Sequence, residues 1–392
     1  MNTLERLDAW FSLPEEERML LASVQNLART QLAPRAEHYD RTAEFPWDNV
    51  KAINALGLNA MFIPEAYGGA PMSYSAYLAC VREISKACAS TGIIWATNFH
   101  ATKPMITFGS EEQNRRLLPR VAEGALTSLV ITEAGAGSDA TGMKTRFEPH
   151  GDDILVSGSK IFITSGDVAD LLLVFGKWSE IADAKSAISA LVVEKGTPGL
   201  SVLRTEDKLG HRASSTAALS FDGCRVPHAN LLGKPGDGLK ILLASLNKSR
   251  PSVAAHALGI ARGAFEDALA YINDRRQSGR RIIEFQGIQF MLADLASELA
   301  LCERWLWHVG ALVDAGVDDI GIEASMLKLR ATDLAMRMAT DAVQLYGGYG
   351  YCKDYRVERL LRDAKITQIW EGTNQVHRQL IGRSFIRKGG AA

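Results

Sequence analysis

The chain is short of the features that would assign it to a membrane, a nucleic acid, a disulfide scaffold or a metal. No run of its 392 residues approaches the ~18 uninterrupted apolar positions that a membrane span needs. The opening MNTLERLDAWFSLPEEERM carries acidic residues where a signal or transit peptide would be basic, so the reading is a soluble, cytoplasmic protein. Charge of either sign is not in excess: 44 Lys+Arg stand against 45 Asp+Glu, and no block of like charge forms a tail. That removes the basic footprint of phosphate-backbone binding and with it a nucleic-acid partner. The five cysteines, Cys80, Cys88, Cys224, Cys302 and Cys352, are scattered and never in C-x-x-C spacing, which argues against disulfides and zinc alike. G-x-S-x-G, H-E-x-x-H and Walker motifs are also lacking, so the hydrolase, zinc-peptidase and P-loop readings fall.

What is present is a globular composition, 47% hydrophobic, in a chain long enough for two or three domains. Residues 1–125 read as helical: Leu20, Val24, Leu27 and Leu32 recur at helical spacing up to Pro34, and EEQNRRLLPRVAEG opens at Ser110 with Glu111 and Glu112 in its first turn. From 126 to 238 the texture changes to six short β-rich runs separated by Gly, Asp and Pro turns, which predicts an antiparallel β domain. From 239 to 392 the helical period returns, with Ile288, Met291, Leu292, Leu295, Leu299, Cys302 and Leu306 on one stripe. Breaks at Gly279, Gly316 and Gly347–Gly350 predict about four long helices, a four-helix bundle. The fold class is therefore α+β and mostly helical, in the order helices, sheet, helices.

Two segments carry the chemistry. Gly135-Ala136-Gly137-Ser138-Asp139-Ala140 fits a loose dinucleotide fingerprint, but turn and strand follow it rather than a helix. A pyrophosphate would then have no helix N-terminus to rest on, and a nicotinamide Rossmann site is disfavoured. The second segment runs from Gln344 to Arg378, where Gly347 and Gly348 permit close backbone approach and Glu371 sits on a helix break between Trp370 and Gly372. A carboxylate so placed is either a partly desolvated base or a solvated helix-end group.

Together these segments closely resemble the acyl-CoA dehydrogenase family. ITEAGAGSDATGMKT is similar to its first signature and QLYGGYGYCKDYRVERLLRDAKITQIWEGTNQVHR to its second, with KIFITSG and NKSRPSVAAHALGIA between them in order. The resemblance runs from about Leu20 to Ile386. It implies the family fold, FAD between the β domain and the C-terminal bundle, a homotetramer of paired dimers, an acyl-CoA substrate and an electron-transferring flavoprotein as acceptor. By motif match it implies flavin contacts from Thr132, Ser138, Phe162 and Thr164, with Phe162 standing where a stacking tryptophan is frequent. Arg275, Gln286, Gln344, Gly347 and Gly348 would hold the partner subunit's FAD, and Thr373 and Gln375 would complete the site. Glu371 matches the catalytic base, which takes the α-proton while flavin N5 accepts the β-hydride and the base's own backbone N–H steadies the enolate oxygen. One branch of the family places its base just before a motif arginine; here that residue is Ser249, which cannot serve. Arg250, Asn247, Ser138, Gly372 and Trp95 are the substrate contacts implied, Arg250 at the CoA end.

Several positions depart from the family pattern: Asn247 for Asp, Ser278 for Phe, Arg356 for Pro and Trp370 for Tyr. Thr91 stands about where glutaryl-specific members carry an arginine, which disfavours a dicarboxylyl substrate. Trp95 would shorten the pocket, so the expected substrate is a short, branched or aromatic acyl-CoA. The competing expectations are an oxidase or carrier-protein-bound acyl dehydrogenase on the same fold, and a flavin-retaining regulatory protein.

Overall fold

A computed structural model describes residues 12–386; the opening MNTLERLDAWF, read above for its charge, lies outside them. Helix α1 (Glu15–Leu27) begins with three acidic residues, which suit the positive end of the helix dipole. The helix does not stop near Pro34 as expected. A wider π-turn at Ala28–Leu32 precedes the proline and makes room for its ring, and α2 (Ala33–Thr42) continues beyond it. After α3 (Trp47–Ala55) come α4 (Tyr74–Ala87) and α5 (Ala89–Phe108), buried along almost their whole length. Helix α6 (Glu111–Ala122) opens at Ser110 as expected, on a capping box: Ser110 Oγ accepts from the Gln113 N–H at 3.2 Å and Gln113 Oε1 from the Ser110 N–H at 2.8 Å.

The sheet holds eight strands: β1 (Thr127–Val130), β2 (Arg146–His150), β3 (Asp153–Thr164), β4 (Leu171–Trp178), β5 (Ile188–Glu194), β6 (Leu200–Thr205), β7 (Thr216–Pro227) and β8 (Leu231–Leu232). Its path is β6-β7-β3-β2-β4-β5-β8, with β1 also on β4. It is antiparallel except where β1 and β2 both run parallel to β4. The crossover that parallel pairing requires is made by loops and a hairpin rather than a helix, so nothing in the local pattern marks it.

Helices α7 (Gly238–Asp274), α8 (Gln286–Asp314) and α9 (Gly321–Tyr346) are the long members of the C-terminal bundle. The expected fourth helix is two short ones, α10 (Arg356–Thr367) and α11 (Asn374–Ser384). Between α7 and α8 a small hairpin, β9 (Arg276–Gln277) with β10 (Arg280–Arg281), turns at Ser278 and Gly279 with φ of 49° and 80°. Positive φ at both central residues is a type I′ signature, and Ser278 lies exposed at the tip of the turn. Helix α7 packs against α4, α5, α9 and α10, and one core cluster unites residues of all five helices. Arg356, where the family pattern has Pro, donates to the Lys86 carbonyl of α4 and lies 3.5 Å from Asp267 of α7.

Candidate active site

The break between α10 and α11 builds the site. The N–H groups of Ile369 and Trp370 both turn back to the Ile366 carbonyl, at 2.9 and 3.1 Å, which ends α10. Glu371 and Gly372 then take φ of 53° and 92°, and Thr373 caps α11 by accepting from the Val376 N–H at 3.3 Å. Two successive left-handed residues point the chain sharply away from the α10 axis. For Gly372 that conformation is free; for Glu371 it is strained, of order 1 kcal/mol or more. A side chain at Gly372 would also crowd His377, whose Nε2 lies 3.1 Å from the position a Cβ would take.

Glu371 is half-buried, and its Oε2 accepts a hydrogen bond from Ser249 Oγ at 2.5 Å. Helix α7 thus does reach Glu371 with the residue that precedes Arg250, as a hydroxyl donor. Arg250 itself is 7% exposed, with Nη1 3.5 Å from Ser325 Oγ and Nε buried without an acceptor. Burial lowers its affinity for a proton while the charge of Glu371 restores part of it. Its guanidinium lies against α9, close enough to Glu371 for that charge to be felt. Lys328 of α9, fully buried, is pushed down to about 7 by burial, against the attraction of Glu371. Burial likewise holds His377 down at about 3, with Lys328 and Arg250 adding to the effect. Asn247 stands beside Gly321 at the start of α9.

Behind Glu371 lies a buried polar layer that the sequence reading missed. Ser252 Oγ donates to the Ser249 carbonyl at 2.8 Å and pairs with His100 Nε2 at 2.5 Å. His256 joins Ser85 Oγ at 2.7 Å through Nδ1 and His211 at 2.8 Å through Nε2. Two imidazoles meeting nitrogen to nitrogen require one donor and one acceptor, so the two cannot both be charged; burial holds His211 well below its usual value and His256 down at about 3. Trp370 lies over this pair, its ring 5.0 Å from His211 and 5.7 Å from His256. Trp95 is 2% exposed and packs on Tyr77 with ring centres 5.3 Å apart; the indole nitrogens of Trp95 and Trp370 are buried without acceptors. Thr91 and Asn98 have structural partners: Thr91 accepts from Asn49 at 2.9 Å, and Asn98 from the Thr127 N–H at 2.8 Å.

The first signature folds back through Glu133. Its carboxylate accepts from the N–H groups of Lys144 and Thr145, the Thr145 hydroxyl and Lys160 Nζ at 2.6 to 3.0 Å. Burial alone would raise this carboxyl; the Thr145 bonds and Lys160 outweigh it and hold it low. The loop so tied presents Ser138 to solvent, while Thr132 gives its carbonyl to the Ile161 N–H at 2.9 Å and stays partly exposed. Phe162 sits on an irregularity of the β3–β7 ladder with φ of 59° and is 61% exposed. A strained, exposed aromatic beside Thr164 is what a planar ring ligand would stack on.

A second patch gathers at the far ends of α7 and α9. Arg275 lies over the Tyr349 ring at 5.5 Å, which brings it to the turn of Gly347 and Gly348; Gln344 and Gly347–Gly348 are exposed. Neither glycine would meet any atom within 4 Å if it carried a Cβ, so this cradle is open. Gln286 begins α8 and Gln375 is exposed in the first turn of α11. The structure thus brings Glu371, Gly372, Thr373 and Arg250 into one neighbourhood, and Arg275 with Gly347 and Gly348 into another.

Three family models cover most of the chain: the acyl-CoA dehydrogenase N-terminal domain at residues 14–125, the middle domain at 128–224 and the C-terminal domain at 236–386. An acyl-CoA dehydrogenase of Bacillus subtilis (strain 168) is 44% identical over 95% of this chain and 98% of its own. The solved butyryl-CoA dehydrogenase of Megasphaera elsdenii is 34% identical with a TM-score of 0.93, covering 96% of this chain and 100% of that one. A glutaryl-CoA dehydrogenase of Mycobacterium smegmatis, solved in complex with FADH2, is 28% identical with a TM-score of 0.90 over 100% and 97% of the two chains.

Proposed function

Given that the chain belongs to the acyl-CoA dehydrogenase family and is an FAD-dependent oxidoreductase, we propose that it removes the α-proton of an acyl-CoA thioester with Glu371 and forms a trans-2,3-enoyl-CoA. The observation that carries this reading is the placement of Glu371: a half-buried carboxylate on a strained turn, held by Ser249 from the helix behind it. A thioester α-proton is weakly acidic, so its removal needs a fixed base together with a donor for the developing enolate oxygen. The turn supplies the base, and the Glu371 N–H is the donor by motif match.

FAD, when bound, takes the β-hydrogen as a hydride, so the two electrons of the new double bond's formation leave the substrate. The residues present fit this cofactor: exposed Phe162 beside Thr164, the loop bearing Thr132 and Ser138, and the open glycine cradle beside Arg275. In this reading Arg275, Gln286, Gln344, Gly347 and Gly348 serve the partner subunit's flavin, Thr373 and Gln375 complete the site, and the enzyme is a homotetramer of paired dimers. The domains are 1–125, 126–238 and 239–392, and an electron-transferring flavoprotein is the acceptor.

The acyl group is short, branched or aromatic, in keeping with the bulk of Trp95, and not dicarboxylyl, because Thr91, fully buried and bonded to Asn49, stands where a second carboxylate would need an arginine. Anaerobic titration of the purified flavoprotein with straight, branched, aromatic and dicarboxylyl acyl-CoAs tests the reading. Bleaching of the flavin by a short, branched or aromatic acyl-CoA is expected; a flavin untouched by every class contradicts it.

A further inference from the structure

The turn that carries Glu371 is strained, and two groups hold it from below. The Glu371 carbonyl faces His377 Nε2 at 3.2 Å, and the Gly372 carbonyl accepts from Lys328 Nζ at 2.8 Å. Lys328 also donates to Asn374 Oδ1 at 3.0 Å. Asn374 is in turn tied by its amide to Thr332 at 2.9 Å and Asp333 at 2.7 Å, both on α9 one turn beyond Lys328. Lys328 and His377 are fully buried and Asn374 is 3% exposed.

A buried ammonium ordinarily meets a carboxylate, because desolvating a charge without a counter-charge is costly. Here both acceptors of Lys328 are neutral oxygens, and the strongest attractive charge acting on it is that of Glu371, one residue away along the turn. The amine is therefore spent on the backbone of the turn rather than on a counter-charge. Fixing two successive carbonyls downward also fixes the peptide planes between them, and with them the direction in which the carboxylate leaves the turn.

We propose that Lys328 is a positioning residue for the base. With His377 it clamps the carbonyls of Glu371 and Gly372 and holds the left-handed turn against its strain, which fixes where the carboxylate sits. The role rests on the reading of Glu371 as the base; the clamp itself does not.

The test uses the FAD-loaded enzyme with Lys328→Met, which keeps length and removes the donors, and Lys328→Gln, which keeps an amide donor without the charge. Flavin content and unfolding midpoint identify folded preparations, and where Lys328→Met does not hold flavin the Gln variant is read in its place. Two readouts follow. Deuterium exchange of the peptide spanning residues 368–377 reports on the turn, because the Asn374 N–H is bonded across it to the Gln368 carbonyl at 3.0 Å. Steady-state kinetics report on the base. The expected result for Lys328→Met is exchange in that peptide faster by about tenfold, and kcat lower by about thirtyfold with KM within about threefold, since a displaced base affects the transition state more than binding. Lys328→Gln should recover part of the exchange protection and less of the kcat. Unchanged exchange overturns the clamp, and faster exchange with kcat within threefold overturns the positioning role. If no acyl-CoA reduces the flavin of the wild-type enzyme, the dehydrogenase reading is what fails, and the exchange data alone decide whether the clamp exists.

Discussion

Ser249 Oγ donates to Glu371 Oε2 at 2.5 Å, joining the central helix α7 to the turn between α10 and α11. Ser249 stands directly before Arg250, so one stretch of α7 meets Glu371 with a hydroxyl and its surroundings with a cation. A hydrogen bond to a charged group contributes about 1.5–3 kcal/mol. Ser249→Ala frees the carboxylate to rotate, and kcat is expected to fall by about tenfold with flavin content unchanged. Steady-state assays beside the flavin absorbance ratio check this; undiminished kcat would show that the hydroxyl does not hold the base.

The buried histidines set an acid limit to stability. His256 and His377 are each held down to about 3 by burial, against about 6.5 in the unfolded chain. Between those values the unfolded state binds more protons than the folded one, so stability falls as pH drops below about 6.5. Each group adds up to ~1.4 kcal/mol per pH unit to that slope. His256→Gln should lower stability at pH 7.5, because Ser85 and His211 lose a partner, yet make the decline toward pH 5 shallower. Urea unfolding at a series of pH values measures both effects, and an unaltered slope would count against His256 as a contributor.

Phe162 offers a test that separates strain from binding. In Phe162→Gly the φ of 59° ceases to be strained, so the protein freed of flavin should be no less stable than wild type. Flavin affinity should nonetheless fall, by about tenfold, through loss of the stacking surface. Equilibrium titration of the apoprotein with FAD gives the affinity; wild-type binding would remove Phe162 from the cofactor site.

Arg275→Ala addresses the second patch. Loss of the guanidinium from the cradle beside Gly347 and Gly348 should weaken flavin retention on dilution, measured as flavin fluorescence in the filtrate at low protein concentration. Retention equal to wild type would contradict the assignment of this patch to a partner subunit's cofactor.

Much of this arrangement was legible in the chain. The order helices, sheet, helices followed from periodicity alone, and Ser110 with Glu111 and Glu112 announced the start of α6, although its Gln113 partner did not. Glu371 was legible as a carboxylate beside a glycine on a helix break, although its own left-handed conformation was not. The parallel pairing of β1 with β4 was hidden because it depends on which distant strand a short run meets. Lys328 was hidden too: within ASMLKLRATD it reads as one more charge on an amphipathic helix, and only the turn arriving from 44 residues downstream makes it a buried donor. The His211–His256 pair had no local signal either, since the two lie 45 residues apart and each is an isolated histidine in its own segment.

The most direct test of the central claim is stopped-flow reduction of the flavin in Glu371→Gln beside wild type, mixed anaerobically with a saturating short acyl-CoA. The amide keeps the shape of the side chain and its place beside Ser249 but has little affinity for a proton. The account predicts full flavin content, unimpaired binding of the acyl-CoA and a reduction rate lower by at least about a thousandfold. Reduction at the wild-type rate would contradict it, and the base would have to be sought elsewhere in the chain.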